Sequence, residues 1–332
     1  MMVRCALAFW MAATAVQAAD DPAGLRIALY LSNRLAAVTM TFDDTKPSQL
    51  TRAKPLFDEF GYRCTFCICA GSVGPGKATT WSQWKAASDA GYEIANHTFG
   101  HWLKGTNSTP ELDEWNHHQI MGGYEEIAKQ IGKPPLTFAF PGGGENAYTR
   151  RLVKESPHID YRTNCHRLKG DRYYPEGDTL TAEQGIAYID KAIAHTISWN
   201  KAELSWFLFY MHDVTEARAQ VLRAMLEHIR QHDDQVWCDT YGRVTLYERE
   251  RESSGIVVSQ RRPDSVTFAV TNGLDPKVFN VPLTVLVPLT APVTRAWAVR
   301  EDTGAPVEAT VRDRQLLVTT TPTGEPIRAQ WK

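Results

Sequence analysis

Two aspartates stand side by side at Asp43-Asp44, where the apolar run Ala36–Phe42 stops. Adjacent carboxylates repel unless a metal, a shared proton or water holds them. Taken alone the pair also fits solvated turn acids ahead of Lys46-Pro47. Two more polar clusters follow strand-like runs: His97-Thr98-Phe99-Gly100-His101 after Tyr92–Asn96, and His212-Asp213 after Leu204–Met211. Histidines four residues apart can grip one ion if the chain turns helical there. The three clusters supply one carboxylate and two imidazoles to a cation, with a second carboxylate and a third imidazole to spare. Two His and one carboxylate leave the open positions that a catalytic metal needs. A divalent ion, Zn²⁺ first among them, polarises a carbonyl and acidifies water. A carboxylate that binds no metal takes the water's proton, and a histidine protonates the leaving group. The Pro141-Gly142-Gly143-Gly144 loop can bring a backbone N–H to a developing oxyanion, because glycine permits close approach. His228 and His232 share the four-residue spacing, but on a polar helix, and read as solvent-facing.

The elements that must position these groups alternate. Helical spacing covers Pro47–Phe60, stopped by Gly61, and then Trp81–Ala90, residues 110–130, Tyr148–Glu155, Thr181–Ile197 and Ala217–Gln231. Strand-like runs lie between them at Cys64–Cys69, Tyr92–Asn96, Leu136–Phe140, Ile159–Thr163, Leu204–Met211 and Gln235–Asp239. This alternation predicts an α/β fold, a distorted (β/α)7-8 barrel over residues 19–252, whose strand ends converge on one face. The helical period then vanishes. Short alternating runs at Ser265–Val270, Val281–Val287, Arg295–Val299, Val307–Val311 and Gln315–Thr319 predict a small all-β sandwich over 253–332.

Composition narrows the function. In 332 residues the formal net charge is −2, so there is no basic footprint for nucleic acid. No obligate protein partner is implied. Met1–Arg4, the apolar Cys5–Val16 and the small residues around Ala18 read as an export signal cleaved near Ala18 (residues 1–18), too short to span a membrane. A secreted or periplasmic protein follows. Cys64, Cys67 and Cys69 alternate within one strand and read as buried thiols rather than a metal cluster. A disulfide from one of them to Cys165 or Cys238 stays open.

At this point the motifs resemble a known family. Thr41-Phe42-Asp43-Asp44 and His97-Thr98-x-x-His101 are similar to the first two motifs of polysaccharide deacetylases of the NodB-homology group, carbohydrate esterase family four. The resemblance covers roughly residues 35–250. It implies a NodB-type barrel, Asp43 as general base, and Asp44, His97 and His101 as metal ligands. Phe138 to Gly143 resembles the third motif, whose Pro141, Gly142 and Gly143 would line the groove. Tyr210-Met211-His212 resembles the fifth and makes His212 the general acid. Residues Gln235 to Val244 resemble the closing strand and loop of some extracellular members. Trp102 and Trp237 are candidate substrate contacts. The implied substrate is an acetylated poly- or oligosaccharide, cleaved at an N-acetyl amide or an O-acetyl ester, as in acetylxylan esterases. One departure matters: the arginine that braces the catalytic aspartate in the third motif is here Ala139, which leaves Arg150, Arg151 and Arg162 as replacements. That departure keeps alive a rival reading, a glycan-binding member that has lost turnover.

Overall fold

The computed structural model describes residues 24–163, 177–199 and 205–332. The export segment and Cys165 lie outside them. The chain divides into two compact units, Ala28–Glu248, and Arg249–Lys332 joined by the stretch up to Ile27.

The larger unit is a curled sheet of seven parallel strands flanked by helices. The strand β1 (Arg26–Ile27) belongs to the other unit. The sheet begins with β2 (Ala36–Phe42), every residue of which is buried. A strand covered on both faces reads as a continuous apolar run, as here. It continues with β3 (Thr65–Ile68), β4 (Glu93–Asn96), β5 (Thr137–Ala139), β6 (Asp160–Arg162), β7 (Trp206–Met211) and β8 (Val236–Cys238). The order is β6-β5-β4-β3-β2-β7, with β8 pairing the first half of β2. Among the described residues β6 and β7 do not pair, so the sheet curls without closing. Helices α1 (Lys54–Phe60), α2 (Trp81–Asp89), α3 (Pro110–His117), α4 (Gly123–Ile131), α5 (Ala147–Lys154), α6 (Ala182–Trp199) and α7 (Glu216–Gln231) make the crossovers.

Alternation sorts the side chains. Val38, Met40 and Phe42, Phe66 and Ile68, Ile94, and Phe207, Phe209 and Met211 join the core that packs on the helices. Their neighbours, Thr41, Thr65, Cys67, Glu93, Ala95, Thr137, Ala139 and Arg162, therefore line the inside. From β3 to β6 this face is small or polar, whereas β7 adds Trp206, Leu208 and Tyr210 to it. Glu93 accepts from Thr65 Oγ1 (2.8 Å), Thr137 Oγ1 (2.7 Å) and the Gly242 amide (2.7 Å). Gly242 lies in the first turn of α8 (Tyr241–Ser253), where a Cβ would stand 2.6 Å from Glu93 Oε1. The segment read as a closing loop is thus the start of a helix, seated on a buried carboxylate that suits a helix N-terminus.

The smaller unit is a pair of antiparallel sheets. One runs β1, β11 (Leu283–Pro288), β15 (Gln315–Thr320), β14 (Ala309–Arg312). The other runs β13 (Pro306–Val307), β12 (Ala296–Arg300), β16 (Ile327–Trp331), β10 (Ser265–Thr271), β9 (Gly255–Arg262). β9 escapes the sequence reading because its apolar Ile256-Val257-Val258 runs into the exposed polar Ser259-Gln260-Arg261-Arg262, so no alternation marks this edge strand. Cys64, Cys67, Cys69 and Cys238 are buried free thiols, as the strand alternation suggested for the first three.

Candidate active site

Asp43 and Asp44 leave the top of β2 differently. The Asp43 amide donates to Met211 O (2.8 Å) and prolongs the ladder with β7. Asp44 (φ 73°) and Thr45 (φ 59°) then turn left-handed, a conformation costing a non-glycine residue of order 1 kcal/mol or more. The turn is held because Thr45 Oγ1 accepts from the Cys69 amide (2.8 Å). It sends the two carboxylates in separate directions.

The segment after β4 is not the helical turn that the His-x3-His spacing suggested. Thr98 and His101 are both left-handed (φ 68° each), and the loop is laced to its neighbours. Asn96 Oδ1 accepts from the Thr98 amide (2.9 Å), and its Nδ2 donates to Ile120 O (2.8 Å). The Phe99 and Gly100 amides donate to Gln119 O and Oε1 (2.8 and 2.7 Å). Gly123 makes the room: a Cβ there would meet Asn96 Oδ1 at 2.6 Å. The result still pairs the rings, with centroids 5.0 Å apart.

Asp44, His97 and His101 converge. Asp44 Oδ1 lies 2.9 Å from His101 Nε2 and 3.4 Å from His97 Nε2. His97 Nδ1 donates to Ala139 O (2.8 Å), which leaves its Nε2 a lone pair facing the carboxylate. Asp44 Oδ1 is buried and has no hydrogen-bond partner despite these short distances. A bare oxygen and two imidazole nitrogens aimed at one point form a group that could hold a metal ion. The His101 and His97 contacts hold the Asp44 carboxyl well below the ordinary carboxylate range.

Asp43, 4% exposed, is paired with the guanidinium of Arg162, itself 1% exposed. Arg162 is the strand neighbour of Ala139 in the β5–β6 register. The small buried cluster Cys67, Ala95 and Ala139 leaves its side chain the room to reach β2. Arg162 Nη2 also lies 3.6 Å from Cys67 Sγ. Burial pushes that thiol well up, so the negative partner is the carboxylate, not the sulfur. Of the other candidates, Arg150 pairs with Glu145 (3.1 Å) and Arg151 with Glu155 (3.3 Å).

His212 follows β7, beside Asp43. Its Nδ1 bonds Asp178 Oδ2 (2.6 Å), and its amide donates to Asp178 Oδ1 (3.1 Å), which Arg218 also approaches (3.1 Å). The Asp178 hydrogen bond raises the His212 pKa above its ordinary value, against the effect of burial. Asp213 turns away and accepts from Ser48. Sequence reasoning missed Asp178, which lies in a loop 34 residues upstream with no pattern around it.

The Pro141-Gly142-Gly143 turn follows β5 directly, next to the carbonyl that holds His97. Gly142 and Gly143 are left-handed (φ 59° and 63°), and the Gly143 amide is tied to Phe140 O (3.3 Å). Trp102 is 65% exposed, its ring 6.3 Å from that of His101. Trp237 does not join the group. It is buried on β8 opposite Ala37, six residues and about 20 Å down the strand from Asp43, and its Nε1 bonds Asp239 (3.2 Å). His228 is half-buried and bonded to Asp190 (2.7 Å), rather than solvent-facing.

Residues 33–158 match the family model described as polysaccharide deacetylase. A gellan lyase from a Bacillus species is 22% identical over 325 residues, covering 89% of this chain and 13% of its own length. The chain therefore spans about an eighth of that relative. A family 4 acetyl xylan esterase from Clostridium thermocellum, solved with a cobalt ion, is 17% identical with a TM-score of 0.43 over 63% of this chain and 89% of that one. A Puue allantoinase is 14% identical with a TM-score of 0.49 over 65% of this chain and 91% of that one. Both scores lie below 0.5.

Proposed function

We propose that this chain, whose residues 33–158 match the polysaccharide deacetylase family model, is a secreted metal-dependent hydrolase that removes acetyl groups from a carbohydrate. Asp44, His97 and His101 would hold a divalent cation, Zn²⁺ by their chemistry, which polarises the acyl carbonyl and acidifies water. Asp43 takes the proton of the attacking water. Arg162 holds that carboxylate aimed, and its fixed fork needs no reorganisation during the reaction. His212 has Nδ1 committed to Asp178, so its acid proton sits on Nε2, from which it passes to the leaving amine or alcohol. A backbone N–H of the Pro141-Gly142-Gly143 turn stabilises the oxyanion. Trp102 offers a sugar ring a flat apolar face. The same constellation serves an N-acetyl amide or an O-acetyl ester.

One observation carries the reading: the Asp43–Arg162 pair, the Asp44/His97/His101 cluster and the His212–Asp178 pair are built on residues at the C-terminal ends of β2, β4, β6 and β7. The retained pairing of Asp43 weighs against a binding protein without turnover, since the loss of arginine at position 139 is made good from the next strand. The test is acetate release from chitin oligomers, peptidoglycan and acetylated xylan, with and without chelator. Chelator should stop release, and Asp43→Ala should abolish it while metal stays bound. Undiminished release by Asp43→Ala would overturn the assignment.

A further inference from the structure

Gln49 is fully buried (0% exposed) at the start of a π-helical turn, Gln49–Ala53, that precedes α1. Turns of this kind gather at functional sites. Its Nε2 donates to two main-chain carbonyls, those of Asp43 (2.5 Å) and His212 (3.0 Å). Carbonyl oxygens only accept, so the nitrogen of the amide must face them. Its Oε1 is buried without a hydrogen-bond partner. The orientation is therefore set by the two carbonyls and not by the oxygen's own needs. Asp43 is thereby fixed at both ends of its peptide, the amide on Met211 O and the carbonyl on Gln49.

We infer that Gln49 is a positioning residue that clamps the general base and the general acid at a fixed separation. This rests on the reading of Asp43 and His212 given above. β2 and β7 are held in register up to Phe42 and Met211. Past that point one NH₂ group supplies a proton to each diverging turn. Proton transfer at both ends of one bond cleavage needs both groups placed to a fraction of an ångström, and both hydrogen bonds of Gln49 Nε2 go to main-chain carbonyls, not to the reacting side chains.

Gln49→Met keeps the volume and removes both donors. It should lower kcat for acetate release about 10- to 100-fold, with KM and calorimetric Zn²⁺ affinity within about twofold of the parent's. Parental kcat in Gln49→Met would show that the residue only fills space, and a loss that tracked lost metal affinity would place its action elsewhere; either overturns the clamp. A second measurement needs no turnover. The side-chain NH₂ of Gln49 in the parent protein should exchange with solvent far more slowly than that of an exposed glutamine, by NMR. Fast exchange would overturn the clamp whatever the activity. A parent protein that released no acetate from any substrate would sink the functional reading, while the exchange rate would still judge the clamp.

Discussion

Replacing Arg162 by methionine removes the counter-charge of a carboxylate that is 4% exposed. Breaking a buried ion pair from one side costs about 3–5 kcal/mol, because the remaining charge is stranded. For a unit of this size, about 3 °C of Tm per kcal/mol gives a fall of roughly 10 °C. The base also loses the guanidinium that aims it, so kcat for acetate release should fall about 10- to 100-fold. Two further variants separate charge from packing. Arg162→Met with Asp43→Asn should recover most of the lost stability but no activity. Arg162→Ala with Ala139→Arg returns the guanidinium from the adjacent strand position and should recover part of the activity. An Arg162→Met protein with the parental Tm and the parental kcat would refute the reasoning.

Asp178→Asn removes the hydrogen bond that raises His212. The imidazolium then loses its proton at lower pH, so the alkaline limb of kcat/KM should shift to lower pH, and an unmoved limb would exclude His212 as the acid. In the smaller unit Glu250 is buried, with Oε1 unpartnered and Oε2 accepting from the Val281 amide (3.0 Å). Burial pushes its pKa up to about 7. The folded state thus holds this proton more tightly than the unfolded chain, and stability should fall as pH rises from the ordinary carboxylate range to about 7. Glu250→Gln should remove that slope and add about 2 kcal/mol at pH 8, read by denaturant unfolding at several pH values. Trp102→Ala should raise KM about 3- to 10-fold with little change in kcat or Tm, as expected for an exposed stacking surface.

The candidate site was legible because its residues sit where apolar runs end. Asp43-Asp44, His97, His101 and His212 all stand at strand tops, and a parallel fold brings such tops together whatever the details. Arg162 could be named only as one of three arginines. Its selection depends on the β5–β6 register and on the small side chains of Cys67, Ala95 and Ala139, which are packing facts. Asp178 was invisible, since an isolated acid in a loop has no period or motif. Trp237 misled for the opposite reason: it lies in a strand-like run, but that strand pairs with the lower half of β2. The His-x3-His spacing pointed to the right pair for the wrong local reason, since left-handed Thr98 and His101 join the rings where a helical turn was expected.

The central claim is that one cation is bound by Asp44, His97 and His101 beside Asp43. Anomalous diffraction at the zinc edge, from crystals grown with Zn²⁺, tests it directly. The account predicts a single strong peak about 2.0–2.2 Å from Asp44 Oδ1 and from Nε2 of both histidines. A map with no peak among these three atoms, or with zinc held elsewhere, would contradict it.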